Sequence, residues 1–296
     1  MLSFDEYKSL IEEKLISYLP DTGEYAAILK ESMKYSLSIG GKRIRPVLLL
    51  ASCDIAGGDI EKAIPYACAI EYIHTYSLIH DDLPAMDNDD IRRGKPSNHK
   101  VYGEAMAILA GDGLLNSAAE LIAKQALSLK GDADALYAHS RATHEILSRA
   151  GASGMIAGQT ADVVNEGKKA SSELVRFIEE HKTADLLTAP VRAGLMLAQA
   201  SEEMINDFSD YAFNLGIAFQ ILDDILDVEG DQNILGKTLG KDEEQGKCSY
   251  VNVHGPEKAR EELTGLTAKA KQSISGYGED AFFFTKLADE LENRKN

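Results

Sequence analysis

Apolar residues recur at three- and four-residue steps along most of this chain, and runs that alternate apolar with polar residues are scarce. Leu174, Phe177 and Ile178, followed by Ala184 and Leu187, show the pattern. That spacing buries one stripe of a helix, whereas a half-buried strand needs a period of two, so the pattern predicts helices packed on helices. Ser3 followed by Glu6 predicts a capping box opening the first helix. Residues 106–127 are Ala-rich and apolar on most sides, which predicts a central buried helix. Gly113 within it costs about 1 kcal/mol against Ala, so close packing is expected there. Breaks near residues 20–23, 57–59, 84–94, 131, 167 and 230–246 separate helices, and none reads as a long interdomain linker. No repeat recurs at a fixed period. The expectation is an all-α fold, residues 1–296 forming a single domain of roughly ten helices.

Composition excludes several functions. The chain has 296 residues, 44% of them hydrophobic, enough for a large core. Lys and Arg number 31 against 48 Asp and Glu, a net charge of −17. Nucleic acid and anionic membrane surfaces require basic faces, so neither is expected as a partner. No run approaches the roughly 18 apolar residues of a membrane span. The opening MLSFDEYKSLIEEKL lacks the basic and apolar regions of a secretory signal. Cys53, Cys68 and Cys248 are odd in number and lack metal-ligand spacing; free thiols in a reducing cytoplasm are expected.

Two acidic clusters carry the chemistry. The first is Asp81, Asp82, Asp87, Asp89 and Asp90, in HDDLPAMDNDDIRRGKPS (80–97). The second is Asp223, Asp224, Asp227, Glu229 and Asp231, in QILDDILDVEGD (220–231). Asp223 and Asp227 are four apart and Asp224 and Asp227 three apart, which places them close together on a helix. Ile221, Leu222, Ile225, Leu226 and Val228 around them are apolar, so this is not a uniformly solvated face. Carboxylates held together in such surroundings call for a cation, and oxygen-only ligands favour Mg2+, Mn2+ or Ca2+. Either cluster alone would read as a solvated acidic patch. The cations nearby change that reading. Arg92 and Arg93 follow the first cluster, GGKRIRP (40–46) carries Lys42, Arg43 and Arg45, Lys182 precedes Thr183, and Lys237 precedes Thr238. Carboxylates together with Arg and Lys imply a polyanionic substrate bridged by metal. Two decoys are set aside. GDQNILGKT (230–238) follows a helical pattern and has Asp231 where a P-loop needs glycine. DNDDIRRG (87–94) has Ile91 and Arg92 where an EF-hand needs a ligand and a glycine.

With these residues in view, the chain resembles the trans-isoprenyl diphosphate synthases, nearest to their bacterial farnesyl-forming members. DDLPAMD (81–87) resembles the family's first aspartate-rich motif and DDILD (223–227) the second. GGKRIRP, His74, Arg92 and Arg93, GQTAD (158–162), HKT (181–183) and GKT (236–238) fall in family order between about residues 35 and 252. The resemblance implies helices around a central cavity and a homodimer. It implies that Asp81, Asp82 and Asp87 on one wall, with Asp223, Asp224 and Asp227 on the other, hold about three Mg2+ ions (Mn2+ being the alternative) on an allylic diphosphate. Arg92, Lys182 and Lys237 would complete that grip. Lys42, Arg45, His74 and Arg93 would hold the diphosphate of isopentenyl diphosphate. Thr183 and Gln220 would face the reacting carbons, and Gln159 and Asp162 would line the same cavity.

Product length is expected to turn on Tyr76, five residues before Asp81 and so roughly 7–8 Å down a helix axis. In the family a large aromatic there, beside a small residue such as Ser77, resembles a farnesyl-length floor. The alternative is a geranylgeranyl-forming enzyme. A terpene cyclase is disfavoured by the second group of cations, and a non-catalytic subunit by the two intact acidic motifs. Leu222 and KCSYV (247–251) depart from the family pattern and put a role for Lys247 in doubt. Arg294 and Lys295 read as a solvated terminus, with closure over the site as the alternative.

Overall fold

The computed structural model describes residues 1–229 and 248–294. Their order is α1 (Phe4–Leu15), α2 (Ala27–Ser38), α3 (Ile44–Ile55), α4 (Ile60–Asp81), α5 (Asn98–Tyr102), α6 (Glu104–Ser128), α7 (Ala133–Ala150), α8 (Met155–Asn165) and α9 (Ser172–Ile178). A π-helical turn, Glu179–Ala184, joins α9 to α10 (Asp185–Leu197). Then come α11 (Glu202–Glu229), α12 (Tyr250–His254), α13 (Pro256–Ser273) and α14 (Phe282–Glu292). The all-α expectation holds. The segments outnumber the expected ten because short helices such as α5, α9 and α12 lie between the long ones.

The first helix starts as its sequence dictates. The Glu6 amide donates to Ser3 Oγ, and the Ser3 amide donates to the Glu6 carboxylate 2.8 Å away. The central elements are α4, packed on α3 and α6, and α10, packed on α3, α7 and α11. One pair of short strands escaped the sequence reading. Ile91–Arg92 and Lys95–Pro96 form an antiparallel ladder with Arg92 opposite Lys95. Arg93 and Gly94 turn the chain with φ of 52° and 72°. Two consecutive positive φ values match the right-handed twist of a tight hairpin. An arginine in the first position is unusual there, so the sequence signal was weak.

Helix α6 is less buried than its composition suggested. Ala107, Ala110, Leu114, Ala118 and Ile122 are fully buried, but Ile108, Leu109 and Leu127 are 45%, 51% and 79% exposed. Its neighbours α2, α4, α5 and α7 cover one side, leaving an apolar stripe on the other. Contrary to the expectation that no run approaches a membrane span, α6 alone among the described helices could cross one by length and composition. Its dense packing against α4 reads instead as that of a core helix. At Gly113, a Cβ would stand 2.9 Å from Met33 Sδ, so α2 and α6 do approach closely there.

Between α2 and α3 the chain is folded by a buried arginine. Arg43 sits at φ 57°, in the left-handed region. Its guanidinium donates to Glu71 of α4 at 2.6 Å, Glu12 of α1 at 2.8 Å and the Leu37 carbonyl at 2.6 Å. Arg43 and Glu71 are 2% and 1% exposed. Removing one member of a buried pair leaves an uncompensated charge. Glu71→Ala is therefore expected to cost about 3–5 kcal/mol in denaturant unfolding. Lys62→Ala, which removes the exposed partner of Asp59, should cost at most about 1 kcal/mol.

Candidate active site

Helices α3, α4, α6, α8, α11 and the π turn surround a cavity of about 1790 Å³. Asp81 is the last residue of α4 and Asp82 its cap. The loop then folds back on itself: the Asp87 amide donates to the Asp81 carbonyl at 2.8 Å, and that of Asp89 to the Asp82 carbonyl at 3.2 Å. This returns Asp87 and Asp89 to the cavity beside Asp81. Burial pushes the Asp81 carboxyl up to about 6; Asp87 and Asp82 add to the rise, and Lys182 and Arg92 oppose it.

Asp82 is placed differently from the expectation. Its carboxylate accepts from Arg92 Nε, 3.0 Å from one oxygen and 3.3 Å from the other, and from Arg92 Nη2. Asp82 is buried and is not among the residues lining the cavity. The hairpin brings Arg92 back over the end of α4, so the arginine and the acid hold each other. Burial raises the Asp82 carboxyl despite this partner.

Asp223, Asp224 and Asp227 of α11 all line the cavity, as the resemblance implied. Asp224 accepts from Gln220 Nε2 at 2.9 Å and from the Tyr250 amide at 3.0 Å. Gln220 in turn accepts from Thr183 Oγ1 at 2.7 Å. Thr183, Gln220 and Asp224 thus form one chain of hydrogen bonds along the wall. Asp223 pairs with Arg294 at 3.2 Å, and that guanidinium also lies over the Phe219 ring. Arg294 is therefore not a solvated terminus, and it lines the cavity. Leu222 is buried in the core, away from the site. The side chains of Glu229, Asp231, Lys237, Thr238, Lys247 and Lys295 lie outside the described residues.

Lys182 lines the cavity, and its Nζ donates to Asp162 at 2.5 Å. Gln159 lines the same cavity. Asp162 does not; it faces a second cavity of about 80 Å³ with Glu179, Asp224 and Cys248. Sequence reasoning missed Glu179, which is 2% exposed with neither carboxylate oxygen hydrogen-bonded to any described residue. Burial, then nearby Asp224, pushes its carboxyl up to about 8.

The cations of the GGKRIRP segment split by role. Arg43 points into the core, while Lys42 and Arg45 line the cavity with His74 and Arg93. Arg45 Nη1 lies 3.4 Å from His74 Nε2. Burial and the surrounding arginines hold the His74 imidazole well below its usual range, so it is neutral at pH 7. Burial brings Arg45 down to about 10, and burial with Arg294 brings Lys42 down to about 8. The Arg93 guanidinium donates to the Gly40 carbonyl and lies against Gly41. A Cβ on Gly41 would stand 2.4 Å from Arg93 Nη1.

Tyr76 and Ser77 line the cavity below Asp81. The Tyr76 ring is buried and packs edge-on to His80, with centroids 5.8 Å apart. The Ser77 hydroxyl donates to the His74 carbonyl of its own helix at 2.9 Å.

The donor set fits a divalent metal. Carboxylates of α4, the loop after it and α11 line one cavity, and burial holds the Asp81 carboxyl high. Among the described residues no three carboxylate, imidazole or thiolate groups enclose an ion unaided. Mg2+ is commonly bound in this way, by one or two carboxylates with water and phosphate oxygens completing the shell.

Comparison with known proteins agrees with this geometry. The polyprenyl synthetase family model matches residues 26–277. A geranylgeranyl diphosphate synthase of Cyanophora paradoxa is 45% identical, over 98% of this chain and 95% of that one. A farnesyl diphosphate synthase of Geobacillus stearothermophilus is 46% identical, over 88% of this chain and 86% of that one. The apo structure of an FPP/GFPP synthase from Zymomonas mobilis superposes with a TM-score of 0.83 at 30% identity, covering 96% of this chain and 95% of that one. The chain belongs to the polyprenyl synthetase family and is a trans-isoprenyl prenyltransferase.

Proposed function

We propose that this prenyltransferase condenses isopentenyl diphosphate with dimethylallyl and then geranyl diphosphate, releasing (2E,6E)-farnesyl diphosphate. The carrying observation is Tyr76. Its buried ring lies in the cavity lining one and a half turns before Asp81 and is braced by His80. A chain growing down α4 from the acidic mouth meets that ring. Relatives of similar identity bear both farnesyl and geranylgeranyl names, so the floor decides between the two products. Tyr76→Ala is expected to shift the product toward geranylgeranyl diphosphate in an assay with excess isopentenyl diphosphate. Farnesyl diphosphate alone from that variant would contradict the floor.

Asp81 and Asp87 on one wall, with Asp223, Asp224 and Asp227 on the other, would hold Mg2+, about three ions per site, with Mn2+ able to replace it. Bound there, the metal supplies the positive charge that stabilises the leaving diphosphate. Lys182 would hold the same diphosphate, with Arg92 released from Asp82 to reach it, and Lys237 would join them. Thr183 and Gln220 would present hydroxyl and amide dipoles to the cation developing on the allylic carbons. No side chain need take the final proton if the released diphosphate does. Ile156 and Val163 on the cavity wall would help exclude water, which would otherwise capture the cation.

Lys42, Arg45, His74 and Arg93 would hold the isopentenyl diphosphate. With Lys42 at about 8 in the free enzyme, its charge is present at pH 7 and is lost as the pH rises through 8. The kcat/KM for isopentenyl diphosphate should therefore fall above about pH 8. Lys42→Arg, charged throughout that range, should flatten the fall. A profile identical in the two enzymes would exclude Lys42 as its source.

The stripe of Ile108 and Leu109 supports a homodimer, in which a second copy covers α6. Placing Lys at both positions is expected to yield monomers in sedimentation velocity. The three free cysteines suit a reducing cytoplasm.

A further inference from the structure

Lys182 and Thr183 both line the cavity, and a π-helical turn carries them. In a regular α-helix each residue adds about 100° of rotation. The i→i+5 bonding of the π turn accommodates an extra residue, so it sets the direction in which the side chains after Ile178 point. Such a turn is rare and needs its surroundings to hold it.

Its inner side is held by close backbone approach. A Cβ on Gly158 of α8 would stand 2.1 Å from the Lys182 amide nitrogen, and one on Gly216 of α11 would stand 2.6 Å from the Ala184 Cα. Its outer side is held by charge. His181 Nδ1 lies 2.8 Å from one oxygen of Asp185. The other Asp185 oxygen accepts from Arg149 Nη1 of α7 at 2.5 Å. Arg149 also donates to Glu145, and the Glu145 carboxylate pairs with Arg192 of α10 at 2.8 Å. Arg192 then donates to Ser209 of α11 at 3.2 Å. Asp185 is only 8% exposed, and neither it nor Arg149, Glu145 or Arg192 lines the cavity.

We propose that Asp185, held by Arg149, is a positioning residue. It fixes His181 on the outer side of the π turn and thereby keeps Lys182 and Thr183 together on the inner side. Without that anchor the turn relaxes toward α-helical geometry, and the side chains of Lys182 and Thr183 rotate away from the allylic site. The proposal rests on the reading above, in which Lys182 and Thr183 serve the allylic substrate.

The test compares kcat and the two KM values for wild type, Asp185→Asn, Arg149→Lys and Lys182→Ala. Asp185→Asn keeps the shape and removes the charge. A displacement near 1 Å at reacting groups costs about 100-fold, so Asp185→Asn should lower kcat by about 10- to 100-fold. The KM for the allylic diphosphate should rise, and that for isopentenyl diphosphate should stay within about twofold of wild type, because its cations lie on α3, the turn before it and the hairpin. Arg149→Lys, which keeps a charge near Asp185, should recover most of the activity. Unchanged kcat in Asp185→Asn, or a parallel rise in both KM values as general loosening would give, overturns the proposal. Should Asp185→Asn fail to accumulate folded, Arg149→Gln removes the same pair from its more exposed side and carries the same comparison. An unaltered Lys182→Ala would instead overturn the reading of the allylic site, and the positioning role with it.

Discussion

Both acidic walls stand on long helices. Asp81 closes α4, and Asp223, Asp224 and Asp227 lie along α11. Unpaired carbonyls give a helix carboxyl end a partial negative charge, so carboxylates are the least favoured side chains there. Burial adds to the cost and is the largest cause of the rise at Asp81. The rest of the site answers that concentration of negative charge. The hairpin returns Arg92 to Asp82, the π turn delivers Lys182 near Asp81, and the end of the chain lays Arg294 on Asp223. Each cation arrives on a different element. A diphosphate entering with a divalent metal would resolve both charges at once, the metal meeting the carboxylates and the phosphate oxygens the cations.

A comparable division occurs where the chain turns from α2 into α3. Three cations in four residues would repel one another if all faced the cavity. The left-handed backbone at Arg43 sends its guanidinium into the core, where Glu71 and Glu12 neutralise it. Lys42 and Arg45 on either side are left to the cavity. The buried pair therefore sets the direction of the site's second cationic group as well as joining α1, α2 and α4. His74 belongs to that group without adding charge, since neighbouring arginines and burial keep it neutral. It can donate or accept a hydrogen bond there but does not act as a cation.

Much of this was legible in the sequence because it depends on short-range spacing. The capping box at Ser3, the shared face of Asp223 and Asp227, and the descent from Asp81 to Tyr76 each follow from helix geometry over a few residues. What was missed depends on partners distant in sequence. Asp82 looked like a cavity carboxylate until the hairpin returned Arg92 to it, and Arg294 looked solvated because its partner Asp223 lies 71 residues earlier. Asp185 carried no signal at all, since Arg149 reaches it from another helix. Helix α6 failed for a related reason. Composition reports how apolar a helix is, but only the packing shows which side is covered, and Ile108, Leu109 and Leu127 lie on the uncovered side.

The net charge of −17 taken as a whole opposes the binding of diphosphates, but distance decides the matter. At physiological ionic strength the Debye length is about 8 Å, so acids spread over a molecule of this size act weakly on an anion already inside the cavity. Within the cavity the dielectric is lower and contacts are direct, and Lys42, Arg45, Arg92, Arg93 and Lys182 all line it. The carboxylates that share the lining would still repel a bare diphosphate at contact distance. An anion brought there alone would meet both signs, whereas one carrying divalent cations meets a complementary partner on every wall. The same arrangement would therefore favour a metal complex of the substrate over the free anion, through the placement of charges rather than their total.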